Sequence, residues 1–170
     1  MITLRIILRL IHIFGGTIWV GAAFFNALFL EPTVRAAGAE GGRFMERLVT
    51  KTPFVKYMTL ASISTVLTGI VLYGLDSSFQ LNWIASREGL IFTAGALAGL
   101  AAYVTGQFVI APTAMRIGAL GNEMAMAGGP PTTIQLNQMS TLQARAMRSG
   151  IFELVLMVIS VAGMAGARMF

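Results

Sequence analysis

The stretch RLIHIFGGTIWVG, residues 9–21, sets the chain's one histidine, His12, inside an apolar run. Imidazole is both a proton acceptor near neutral pH and the commonest metal ligand, so a titratable ring in such a run calls for a reason. Steps of three and four along a helix place Arg5, Arg9, His12, Gly16, Trp19, Ala23 and Asn26 on one face. Lipid offers these polar groups no partner, so that face is expected to point into a bundle. The arginines lie toward one end and His12 about two turns deeper. That arrangement suits a haem b, with an imidazole for the iron and guanidiniums for the propionates. A lone histidine also serves as a hydrogen-bonded structural residue, and both readings stand on the sequence.

Other residues extend the pattern. Gly15 and Gly16, Gly69, Gly95 and Gly163 fall at similar depths in four apolar runs, which would leave room for a flat macrocycle or simply let helices approach closely. Met164, at about the depth of His12, is the candidate second axial ligand, although 11 methionines in the chain make such a match common. Arg87, beside Glu88, could reach a propionate or extend its charge to the interface. Glu153 stands within the fourth run, where a carboxylate is costly without a partner; Arg145 or Arg148 could neutralise it, or it could relay protons. Met124 and Met126 in NEMAMAG could hold Cu(I) through thioethers, a weak motif without histidine or cysteine.

The elements that must position these groups are membrane helices. Of 170 residues, 56% are hydrophobic and 11% charged, and the mean hydropathy is +0.76, far from a soluble domain. Runs at 4–30, 54–75, 84–111 and 149–168 are long enough to cross a bilayer, and their continuous apolar character argues for helices over a barrel. The expected architecture is an all-α four-helix membrane bundle forming one domain. The first run exceeds a signal peptide's apolar region and has no small-residue cleavage site behind it, so it is expected to stay in the protein. The absence of cysteine excludes disulfides, iron–sulfur clusters, thiolate ligands and covalent haem attachment.

The charge balance, 12 Lys+Arg against 7 Asp+Glu, forms no nucleic-acid stripe. Arg35, Arg43, Arg47, Lys51, Lys56, Arg116, Arg145 and Arg148 flank connections 1–2 and 3–4, against Arg5, Arg9, Arg87 and Arg168 at the other side. The positive-inside rule then puts both termini outside a bacterial cytoplasmic membrane. The first connection could form a short amphipathic helix or a polar loop. In the third, Thr132 or Thr133 can cap a helix that starts near Thr133 and enters the bilayer at about Ser149. FLEPTVRAAG closes the first span and VIAPTAMRIG the third, with Pro32 and Pro112 eighty residues apart and Gly15 falling on Gly95. This points to two repeated hairpins or to a coincidence of common helix-end chemistry.

HIFGGTIWVG resembles the first helix of a superfamily of four-helix bacterial membrane proteins that includes the copper-resistance D domain, HemJ-type protoporphyrinogen oxidases and uncharacterised integral membrane families. The motif is His12, Trp19 seven residues later, and Gly21. The resemblance implies haem b at His12. In the HemJ-type oxidases a Trp-x-x-x-Lys opens the third helix; here WIASR, Trp83 to Arg87, puts arginine in the lysine position, and Pro32 lies far from the family's Leu-Pro-Arg. Haem binding therefore carries over better than oxidase activity. Four function classes follow: a haem protein for electron transfer, haem handling or sensing; an oxidoreductase acting on protoporphyrinogen or a quinol; a copper-handling membrane protein; and a cofactor-free subunit of a larger complex. The expected partners are the bilayer and a membrane redox partner or further copies of the chain.

Overall fold

A computed structural model describes residues 2–169; the side chains of Ala39 and Arg168, the latter counted above among the basic residues, lie outside the described set. Every regular element is helical. The long helices are α1 (Ile2–Ala36), α3 (Phe54–Ser77), α5 (Arg87–Met126) and α6 (Thr133–Gly166), each long and apolar enough to cross a membrane. Between them lie α2 (Gly38–Lys51) and the single turn α4 (Leu81–Ile84). The all-α membrane bundle expected from composition is the fold observed.

Two expected helix ends are not ends. Pro32 and Pro112, read above as closing the first and third spans, sit inside α1 and α5, which run on to Ala36 and Met126. The reason is local. A proline has no N–H for the carbonyl four residues back, and its ring crowds that carbonyl. Each helix widens by one π turn just before it, at Asn26–Leu30 and at Gly106–Ile110. The Glu31 N–H reaches back to Asn26 O and the Ala111 N–H to Gly106 O. The following threonines then donate side-chain hydrogen bonds into the loosened turn, Thr33 Oγ1 to Phe29 O and Thr113 Oγ1 to Val109 O, both at 2.6 Å. Bulge, proline and threonine recur at the same eighty-residue offset.

The glycines repeat with them. The most extensive helix packings are α1 with α3 and α5 with α6. In the first hairpin a β-carbon on Gly15 would fall 2.6 Å from Thr65 Oγ1 and 3.1 Å from Ala61 O; in the second, one on Gly95 would fall 3.2 Å from Gly163 Cα. Gly15 and Gly95, eighty apart, thus each sit in a tight contact of their hairpin that leaves no room for a side chain, as small residues do in membranes. The hairpins are joined by Gln107 Nε2 donating to Ser62 Oγ (3.2 Å), by the Tyr73 Oη–Thr93 Oγ1 bond (2.7 Å) and by the edge-on contact of Trp19 and Tyr103.

The connections are equally specific. Ala37 carries the chain out of α1, and Gly38, at φ +55°, takes the left-handed conformation that a glycine adopts without strain. Of the two readings of the first connection, the helix is the one formed. Its glycine side packs on the extension of α5, where Gly42 meets Gly121 and Glu46 lies over Gly118. Ser86 caps α5 by accepting the Gly89 N–H, and Thr132 with Gln135 forms a reciprocal capping box at the start of α6. The helix predicted to start near Thr133 does so.

Candidate functional site

His12 lies on the seam between α1 and α3. Its Nδ1 is 2.8 Å from the Thr65 carbonyl oxygen. A carbonyl only accepts, so Nδ1 carries the hydrogen and, in the neutral ring, Nε2 keeps its lone pair. The Thr68 hydroxyl, 3.5 Å from Nδ1, gives its own proton to Ser64 O at 2.6 Å. Gly69 provides the seat, since a β-carbon there would fall 2.9 Å from His12 Cε1. His12 as a whole is only partly buried.

One to two turns nearer the helix start, the two arginines converge on a residue the sequence reading did not weigh. Arg5 Nη1 lies 3.0 Å from Asp76 Oδ1 and its Nη2 donates to Leu75 O at 2.9 Å, while Arg9 Nη2 lies 3.5 Å from Asp76 Oδ2. Asp76 ends α3, so the antiparallel hairpin delivers a carboxylate to the level of both guanidiniums. The arginine side chains stay 42% and 45% exposed, against 23% for Asp76, so donors remain available toward the surface. Its signal was present in GLDSS: an acid closing an apolar run whose hairpin partner opens with two arginines.

The level of glycines is filled by the helices themselves. A β-carbon on Gly163 would fall 2.9 Å from Gly95 Cα and 3.0 Å from Ile91 O. Gly69 is covered by His12, and a β-carbon on Gly16 would touch Thr65 Cγ2 at 3.6 Å. The slot for a flat macrocycle between four glycine walls is therefore closed. Met164 belongs to the second hairpin, its backbone nitrogen beside Gly95, whereas the partners of His12 are on α3. Trp19 faces across the bundle to Tyr103, their ring centroids 6.3 Å apart. Arg87 opens α5 with its side chain exposed, and Met126 is exposed at that helix's far end. Among the described residues no group of three or more His, Cys, Asp or Glu side chains could hold a metal ion.

Two carboxylates are buried deeper still. Glu153 on α6 is 6% exposed, and a β-carbon on Gly106 would fall 2.9 Å from its Oε1. Arg145 and Arg148, the expected neutralising partners, are exposed, and among the described residues neither pairs with it. Glu31, which the sequence reading passed over, is 5% exposed, with Oε1 buried and without a hydrogen-bond partner.

The described residues thus include one partly buried imidazole, two arginines that share the single carboxylate of Asp76, and two buried carboxylates. Comparison with protein-family models, with curated proteins and with solved structures finds no match to this chain.

Proposed function

We propose that this chain is a b-type haem-binding protein of a bacterial cytoplasmic membrane, in which His12 Nε2, on the α1–α3 seam, would hold the iron. One observation carries the reading. The Thr65 carbonyl holds the hydrogen on Nδ1, which is how a ligating histidine is fixed in tautomer and orientation. The donor chemistry fits a haem; the bundle interior does not, because Gly95 and Gly163 fill the space between α5 and α6. The reading therefore puts the haem at the partly exposed edge of the seam, and the 42% and 45% exposure of the Arg5 and Arg9 side chains beside Asp76 supports guanidinium contact with propionates there. A bound haem would supply one-electron or gas-binding chemistry. The eight basic residues around α2 and the start of α6 favour that end as the cytoplasmic one. The resemblance of HIFGGTIWVG to the copper-resistance D and HemJ-type superfamily supports the same reading of His12.

A second reading, a cofactor-free subunit of a larger membrane complex, is favoured by the closed glycine contacts and by a His12 already bonded to Thr65. One preparation decides between them. Protein purified from haem-replete cells is expected to carry a Soret band that His12→Ala loses; a colourless wild type supports the subunit reading.

A further inference from the structure

The buried carboxylates gain meaning from where they stand. Glu31 closes the π turn of α1, its N–H bonded to Asn26 O, and Glu153 lies against Gly106, which opens the π turn of α5. Each repeat thus brings a carboxyl group to its bulge. Bulges of this kind and broken membrane helices recur at binding and conduction sites, where irregular backbone lines a cavity and not lipid.

Their relative depth follows from one contact. A β-carbon on Gly150 would fall 3.9 Å from Ala27 Cβ, which sets these residues level. Glu31 is four residues beyond Ala27 toward α2, and Glu153 three residues beyond Gly150 in the opposite direction. At the helical rise, the two lie about 10 Å apart along the bundle axis, with Glu31 nearer the α2 end.

Few charges oppose them. Arg35, one turn after Glu31, is exposed and directs Nη1 at Met147 Sδ, 3.7 Å away. Against Glu153 stands Gly106 from α5, while the neighbouring Gln107 amide donates to Ser62. Among the described residues neither carboxylate has an ion pair, and a bare carboxylate in such surroundings is strongly disfavoured.

We propose that Glu31 and Glu153, set at the two π turns, form a proton-uptake path from the α2 end into the middle of the bundle. Both groups rest as neutral acids. When Glu153 has given up its proton, Glu31 donates its own through intervening water, and hydronium at the α2 end reprotonates Glu31 and leaves water. The path uses none of the residues proposed to hold haem.

The test uses the full chain in liposomes with dicyclohexylcarbodiimide, an apolar reagent that attacks protonated carboxyl groups. The carboxyl oxygen bonds the carbodiimide carbon, the proton passes to nitrogen, and rearrangement leaves a stable acylurea that peptide mass spectrometry locates. Glu153 is expected to be labelled well ahead of the exposed Glu40 and Glu123, with the label absent in Glu153→Gln. Glu31→Gln should slow hydrogen–deuterium exchange of the Glu153 carboxyl band in the infrared at least tenfold, and Glu31→Asp, which keeps an acid at the bulge, should restore most of the rate. Each variant is compared at matched helical circular dichroism. Labelling of Glu153 no faster than that of Glu40 overturns the proposal, as does unchanged exchange in Glu31→Gln.

Discussion

Gly163→Ala tests whether the glycine level serves helix contact. The added β-carbon would meet Gly95 Cα at 2.9 Å, Ile91 O at 3.0 Å and Gly95 N at 3.2 Å. All three are backbone atoms of α5, so no rotamer change relieves the clash. Ordinary contact begins at 3.4 Å, so α5 and α6 must part by about half an ångström along their tightest seam. Overpacking of this kind costs about 1–3 kcal/mol, and each kcal/mol lowers Tm by about 2–4 °C in a chain of this size. The expected loss is then about 2–12 °C, read by circular dichroism during thermal unfolding in detergent. Gly16→Ala is the control, because its β-carbon meets Thr65 Cγ2 at 3.6 Å, an ordinary contact, and alanine favours helix by up to about 1 kcal/mol. Its Tm should hold or rise slightly. If Gly163→Ala melts with the wild type, or Gly16→Ala loses as much, the packing account of these glycines fails.

Asp76→Asn removes the shared partner of Arg5 and Arg9. The pairs are partly exposed, so a loss of roughly 1 kcal/mol is expected, and it should shrink in molar salt; a loss indifferent to salt would refute an electrostatic origin. Thr113→Val deletes the hydroxyl that donates to Val109 O in the second π turn, and about 0.6 kcal/mol of stability should go with it. A variant as stable as the wild type would show that the turn does not need that donor. Thr132→Ala breaks the capping box, worth about 1 kcal/mol. Hydrogen exchange at the Gln135 amide should quicken about fivefold with the α5–α6 contact unaffected, and an unchanged rate would remove the cap from the account.

Long-range composition made the bundle legible: four continuous apolar runs leave membrane helices as the fitting solution. Capping was legible too, because Thr132 and Gln135 carry the signature at a spacing of three. The prolines misled, since a proline-induced stop and a proline-induced π turn share their local sequence; the difference lies in Thr33 and Thr113, whose hydroxyls make the continued helix tolerable. The eighty-residue repeat was visible in Pro32 and Pro112, whereas its structural content, a bulge and a contact glycine in each hairpin, needed coordinates. The Arg5–Arg9–His12 face was found, but half of its chemistry is on α3. Asp76, Thr65 and Gly69 join it only when the hairpin closes, and a backbone carbonyl such as that of Thr65 leaves no mark in a sequence. Glu31 was missed because an acid next to a proline reads as a helix end in water, while the uninterrupted α1 buries it.

The most direct test of the His12 assignment is a haemin titration of purified wild-type protein beside His12→Ala, followed at the Soret band in detergent. The expected result is a single saturable step in the wild type, absent or much weaker in His12→Ala and partly recovered when imidazole is added to the variant. Identical titration curves for the two proteins, or no saturable step in either, would contradict it.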